Sequence, residues 1–274
     1  MSRKSSALQN LLSKASATRV GLRNLLIGGN LASLLLLTRP RVMVNYVTES
    51  LFLLRSFTNH RTLPQRNVFD IFPQARLAEL RLCNTNGVTW FNEVASFTAD
   101  IVSLCLLCQA IQPKLVFEIG TDHGYTTTHM ALNTSVDCEI FTLDLPPDVS
   151  PLLPTTFMDD LNIRKYKQRK RYMWEQPNIA PKIHRLFGDS AVFDYSPYHG
   201  RVDLFFIDGA HSHEYVRSDT LNALKCCHSG SAIVWHDFGR VGVNGVSRWL
   251  VEFSNQHPVY SIPGGSLAFC VIAS

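Results

Sequence analysis

Between residues 117 and 238, acidic and histidine side chains recur wherever an apolar run stops. Glu118, Gly120 and Gly124 follow KLVF, Asp144 closes EIFTL, and Asp189 and Ser190 close KIHRLFG; Asp208 and His211 follow VDLFFI, and His236 and Asp237 close SAIVW. Carboxylates and imidazoles are the groups that move protons and ligate divalent metals, and a carboxylate also accepts the paired hydroxyls of a sugar. One polar group after a strand is ordinary loop composition. Five such endings in succession predict a ligand.

The elements that must position these groups read as strands alternating with helices. Strands are predicted at KLVFEI, EIFTL, KIHRLF, VDLFFI and SAIVWHDF, with helices from about Asn92 to Ala110, Tyr215 to Cys227 and Val246 to Asn255. That alternation implies a Rossmann-like, doubly wound α/β sheet with helices on both faces and ligands at the carboxyl ends of the strands. The last residues, VYSIPGGSLAFCVIA, read as two strands joined through Pro263, Gly264 and Gly265, so an antiparallel hairpin is predicted at one edge of a mostly parallel sheet. A polar, proline-rich insertion runs from Pro146 to Pro181 and contains the basic stretch Arg164 to Arg171, read as a solvated face or as a lid for an anionic acceptor.

The glycine turn narrows the ligand. Gly120 and Gly124 let a ligand approach the backbone, but no Gly-Lys-Ser/Thr follows, which argues against a phosphate-binding P-loop. Position 122 is Asp where a dinucleotide fingerprint has Gly, and a carboxylate there repels a pyrophosphate. Glu118 suits a cationic group, and Asp144, 26 residues on, suits ribose hydroxyls. A cofactor with a ribose, an amino group and no phosphate meets these conditions; S-adenosylmethionine is one.

FEIGTDHGYTT resembles the first motif of class I S-adenosylmethionine-dependent methyltransferases. LFFIDGAHSHEYVRSDTLNAL followed by SGSAIVWHDF is similar to the small-molecule O-methyltransferase branch grouped as methyltransferase family 24. The likeness covers roughly residues 90 to 274 and rests most on the joint order of EIGxxxGYT, LDLP, GDS, IDGAHSHEYVRSD and WHDF. It implies that Glu118, Gly120 and Gly124 hold the methionine end, that Thr126 donates a hydrogen bond near the carboxylate, and that Asp144 takes the ribose. Asp189 and Ser190 would lie against the adenine. A hydroxyl acceptor must also lose a proton, which a base or a divalent metal can arrange. His211 stands where the catechol-type relatives carry a lysine base, with His213 as its competitor. Asp208 and Asp237 match the aspartates that hold magnesium there, and Asp208, counted with His211 among the catalytic residues, is read equally as a cofactor-shell acid without metal. Phe238 stands where a third ligand is usual, so His236 is the substitute considered, and imidazole shifts preference from Mg²⁺ toward manganese, iron or zinc.

The expectation is therefore methyl transfer from S-adenosylmethionine to oxygen on a small molecule, a sugar or secondary metabolite. Two alternatives stand beside it. One is a nicotinamide-dependent oxidoreductase, against which the missing glycine at position 122 and the terminal hairpin weigh. The other is a non-catalytic cofactor-binding or scaffold relative, which Phe238 leaves open.

Composition sets the outer limits. The chain has 274 residues, 46% hydrophobic and 18% charged, with 26 basic and 22 acidic side chains, so its formal charge is +4. This is ordinary globular composition, and so slight a basic excess argues against nucleic acid as a partner. Seven cysteines, an odd number mostly within apolar runs, predict a reducing, cytoplasmic setting. Cys105 and Cys108 have redox spacing but sit inside IVSLCLLCQAI, where a buried helix is the better reading. The first 48 residues hold no Asp or Glu and seven Lys or Arg. Residues 1–80 are expected to form a helical extension that caps the 81–274 domain or contacts a second subunit. A peripheral membrane role comes next, because the run Leu25 to Leu37 is too short to span a bilayer.

Overall fold

The computed structural model describes residues 37–38, 63–83, 94–166, 178–240 and 242–273. The chain divides into two compact units, 1–48 and 49–274, and the site lies in the second. The expectations for the basic N-terminal segment, Leu37 and Thr38 apart, fall outside the described residues, as do the side chains of Arg164 to Arg171. Among the described residues no helix is long and apolar enough to cross a membrane.

In chain order the second unit holds α1 (Val68–Ile71), α2 (Val94–Ile111), β1 (Leu115–Ile119), α3 (Tyr125–Leu132), β2 (Glu139–Asp144), α4 (Phe157–Tyr166), β3 (Ile183–Phe187), β4 (Val202–Ile207), α5 (His213–Cys226), β5 (Cys227–Trp235), α6 (Asn244–Phe253), β6 (Val259–Ser261) and β7 (Ala268–Val271). The strands form one sheet in the order β3-β2-β1-β4-β5-β7-β6. The first five are parallel, and β7 runs antiparallel to both β5 and β6. The terminal hairpin is thus present, but its antiparallel strand lies inside the sheet and β6 forms the edge. The chain passes β5 to reach β6 first and fills the gap on its return.

Strand alternation sends neighbouring side chains to opposite faces. Phe117, Ile119, Phe205, Ile207, Ile233 and Trp235 pack in one core cluster with Val216 of α5 and Trp249 and Phe253 of α6. Val116, Leu204, Phe206 and Val234 pack in the other with Leu104, Leu107 and Cys108 of α2 and Met130 of α3. Cys105 and Cys108 are both buried in α2 as free thiols, and desolvation pushes Cys105 up to about 12, so neither is a poised thiolate. The expected boundary at residue 80 falls within this packing, since Leu63, Val68 and Ala75 are buried in the two clusters. Ser261 also exchanges backbone hydrogen bonds with Pro64 and Arg66, each 3.0 Å, which extends the β6 edge.

One hydroxyl ties the α5–α6 face together. Thr220 Oγ1 donates to the Val216 carbonyl (2.7 Å) and accepts the indole N–H groups of Trp235 (2.9 Å) and Trp249 (3.0 Å), which uses its full capacity. Replacing Thr220 with Val keeps the shape but orphans two buried donors. The expected loss is roughly 2–4 kcal/mol in urea unfolding, and an unchanged midpoint would show that the indoles find other acceptors.

Candidate active site

A cavity of about 330 Å³ opens at the carboxyl ends of the parallel strands. Its lining includes Gly120 and Asp122 after β1, Asp144 at the end of β2, and Asp189 and Ser190 after β3. Asp208 and His211 after β4, His236 and Asp237 after β5, and Asp159 of α4 complete the polar wall. The strand-end residues read from the sequence therefore converge, with three exceptions. Glu118, Gly124 and Thr126 do not line it.

Gly120 sets the spacing between β1 and β4. Its φ is +94°, and a Cβ there would lie 1.9 Å from the Asp208 carbonyl oxygen, so a side chain would push the Asp208 loop away. Glu118, two residues earlier, points to the α3 face and is fully buried. Its Oε2 accepts from Thr127 Oγ1 (2.5 Å) and Thr142 Oγ1 (2.6 Å), while Oε1 has no hydrogen-bond partner. Burial pushes its pKa up to about 8, against the pull of the two threonines. Thr126 borders a small void with Asp100 and His236 instead of the cavity.

Asp144 accepts from the Leu145 N–H (3.1 Å) at the cavity wall. Asp189, expected against an adenine, is committed to the protein. Its Oδ2 accepts from the Leu152 N–H and Tyr215 O–H, each 2.7 Å, and its Oδ1 from the Ala191 N–H (2.9 Å). It thus anchors the insertion to α5, while Ser190 remains beside it on the wall.

At the other end His211 sits among carboxylates. Nδ1 meets Asp159 Oδ1 at 2.5 Å, and Nε2 lies 2.8 Å from Asp237 Oδ2 and 3.9 Å from Asp208 Oδ1. The Nε2–Asp237 contact is close but misaligned, leaving Nε2 buried without a true hydrogen bond. Burial disfavours the imidazolium, yet Asp159 and Asp237 outweigh it and hold the His211 pKa well above its ordinary value. Asp237 has a left-handed φ of 64°, uncommon outside glycine, and Arg240 Nη1 binds its Oδ1 at 2.7 Å. His213, the competing base, faces away and pairs with Glu252 of α6 at 2.9 Å.

Three strand-end residues bring metal-ligating atoms together. Ligand atoms of Asp208, His211 and Asp237 lie within 4.8 Å of one another. His236 borders the same two carboxylates: its Nδ1 faces Asp208 (3.1 Å) and Asp237 (3.2 Å), and its Nε2 faces Asp100 Oδ2 (3.1 Å). Strand alternation explains this, since His236 follows Val234 onto the α2 face, where Asp100 waits. Phe238 packs against the hydrophobic core and offers no ligand. Two carboxylates and an imidazole fit a first-row divalent metal in donor type.

Asp159, Asp100 and Tyr215 were not anticipated. Asp159 had a signal, because Thr156-x-x-Asp159 is a capping-box spacing, and the two residues do exchange hydrogen bonds of 2.8 and 3.2 Å. Asp100 had a weaker one, a lone acid in an apolar helix.

A family 24 model described as a methyltransferase domain matches residues 117–238. Among solved structures the chain is similar to the O-methyltransferase TomG from Streptomyces achromogenes, involved in tomaymycin synthesis and bound to SAM. Identity there is 16%, over 75% of this chain and 96% of that one, with a TM-score of 0.46. It is also similar to the O-methyltransferase from Bacillus cereus in complex with SAH, at 17% identity over 74% and 88% of the two chains and a TM-score of 0.40. No curated protein sequence matches the chain. The matched segment runs from within β1 to just past β5 and so contains the glycine turn and the strand-end residues of the cavity.

Glu118 generates a pH prediction. An acid whose folded pKa is raised keeps its proton in the fold after the unfolded chain has released it, so stability falls as pH rises from about 4.5 to about 8. Glu118→Gln removes this dependence. Its melting temperature relative to the parent should climb between pH 5 and pH 8.5, and a constant difference would place the titration elsewhere.

Proposed function

We propose that this enzyme transfers a methyl group from S-adenosylmethionine to a hydroxyl oxygen of a small molecule, with His211 as general base. The observation that supports the reading most is the position of His211, whose Nε2 stands between Asp208 and Asp237 in the strand-end cavity. When bound, S-adenosylmethionine supplies the activated methyl.

The protein's own residues fit that cofactor. Asp144 stands on the cavity wall at the end of β2, where a carboxylate suits ribose hydroxyls. Six aspartates and one arginine among the lining residues favour a positively charged ligand. The cavity holds the acceptor hydroxyl in line, and Nε2 of His211 takes its proton. A cation bound nearby weakens the hold of Nε2 on its own proton and so favours the basic ring.

A second reading is supported by the convergence of Asp208, His211 and Asp237. These three would hold a divalent metal, which lowers the pKa of a coordinated hydroxyl. His211 would then be a ligand and not the base. The acceptor we favour is a polyhydroxylated molecule, a sugar or secondary metabolite, bounded by the insertion.

Calorimetric titration with S-adenosylhomocysteine tests the cofactor, and tritiated methyl transfer to a panel of catechols and sugars tests the chemistry. Micromolar binding is expected, weakened roughly tenfold or more, about 1.4 kcal/mol, by Asp144→Ala. His211→Ala should lower turnover by roughly 10²–10⁴. No binding of S-adenosylhomocysteine would sink the proposal. The same titrations run in chelator and then with added Mn²⁺ or Mg²⁺ separate the two readings. A base mechanism leaves turnover intact in chelator, whereas a metal mechanism loses it and regains it with the ion.

A further inference from the structure

The insertion between β2 and β3 joins the cavity wall through a stretch poor in hydrogen-bond donors. Pro146, Pro147 and Pro151 all line the cavity, and Pro154 follows closely. Proline carries no N–H, so the run from Pro151 to Pro154 offers two backbone donors, those of Leu152 and Leu153. Both meet one hydroxyl. Tyr215 Oη accepts from the Leu152 N–H at 3.0 Å and from the Leu153 N–H at 3.3 Å, and it donates to Asp189 Oδ2 at 2.7 Å. The Leu152 N–H is shared with that same Asp189 oxygen, also at 2.7 Å. Apolar burial contributes little at Leu152, which is 64% exposed. Tyr215 itself is placed by α5. It is buried in the first turn of that helix, where its N–H donates to the N-cap hydroxyl of Ser212 at 3.2 Å, and the next residue, Val216, packs in the core of the sheet. Burial and the facing Asp189 carboxylate raise the Tyr215 pKa, so the phenol stays protonated and can donate and accept at once.

We infer that Tyr215 is a positioning residue whose hydroxyl latches the proline wall of the insertion against the cofactor end of the cavity and orients Asp189 beside it. The inference rests on S-adenosylmethionine occupying this cavity, and it goes beyond that reading by naming the group that sets the wall. Pro151 is bonded directly to Leu152, so holding the Leu152 and Leu153 amides sets where the Pro151 ring stands. Asp144 and Ser190 line the same cavity as Pro151 and Asp189. The hydroxyl is referred to the sheet through α5, and the insertion is the part held against it. A wall already in place when the cofactor arrives does not have to be ordered by binding, and a wall that must be ordered weakens affinity. Without the hydroxyl the Leu153 N–H loses its acceptor, and Asp189 keeps the Leu152 and Ala191 N–H groups but loses its phenolic donor.

Tyr215→Phe keeps the ring and removes the hydroxyl alone. Amide exchange in the full chain without ligand, followed by nuclear magnetic resonance, is expected to show Leu152 and Leu153 protected in the parent. In the variant they should exchange roughly tenfold or more faster, while the Val216 amide of α5 stays protected. Calorimetric titration of the same two proteins with S-adenosylhomocysteine should give a dissociation constant raised roughly tenfold in the variant. A merely structural role in α5 would lower the melting temperature and leave both the affinity and the Leu152 and Leu153 exchange unchanged, which overturns the inference. Loosened amides with unchanged affinity overturn it as well, because the wall then has no bearing on the cofactor. Weakened binding with unchanged exchange makes Tyr215 a direct ligand contact and overturns it too. Unprotected Leu152 and Leu153 amides in the parent overturn it without any variant, which covers the case of Tyr215→Phe failing to fold. Failure of the parent to bind S-adenosylhomocysteine would instead strike the methyltransferase reading and leave the latch to be judged by the exchange comparison.

Discussion

A buried run of alternating carboxylates and imidazoles joins the working parts of this domain. It passes from Asp159 of the insertion to His211 after β4, to Asp237 after β5, to His236, and to Asp100 of α2. Asp100 continues it into the β6–β7 turn, where its oxygens accept from the Ser266 N–H and O–H, both at 2.7 Å. Gly265 makes that approach possible, because a Cβ there would lie 1.9 Å from Asp100 Oδ1. Five elements distant in sequence thus meet through charge. Buried ion pairs rarely repay their desolvation, so a run of them is weak evidence for stability and better evidence that fixed geometry is being maintained.

Much of the fold was legible because a parallel sheet announces itself twice, in apolar runs of strand length and in the polar groups that end them. The five parallel strands and the helices between them stand close to where the sequence placed them. The order β5-β7-β6 was not legible. A hairpin pattern fixes how two strands pair with each other but not which of them joins the sheet. The insertion was opaque for a related reason, since Asp159 and His211 are 52 residues apart and only the folded chain shows that they meet.

Within the site, a two-residue period decides what each strand-end residue faces, and apolar runs mark the strand end without marking the face. Glu118 follows Phe117 and so lands on the α3 face, among Thr127 and Thr142. His236 follows Trp235 and lands with Nε2 beside Asp100 while Nδ1 still reaches Asp208 and Asp237. Asp189 differs, because it reaches the cavity wall and is also bound by the protein. Hydrogen bonds from Leu152, Tyr215 and Ala191 already occupy it, and no local pattern records a partner from so far along the chain.

The cavity carries its acids in two states. On the β4–β5 side, Asp159 and Asp237 are held as carboxylates, because His211 and, for Asp237, also His236 outweigh the penalty of burial. Beneath the β1–β2 side, burial raises the pKa of Glu118, and the hydrogen bonds of Thr127 and Thr142 do not offset it. The contrast follows from partners more than depth, since all three carboxyls are buried. Stability and chemistry are therefore inseparable at His211. Removing its ring would leave Asp159 buried without its counter-charge, so that acid would have to take up a proton or draw in water or a cation, whereas Asp237 would keep Arg240 and His236. A site that holds its base between two acids has, in the same geometry, the means to hold a metal, and which of the two it does depends on whether Nε2 carries a proton or an ion.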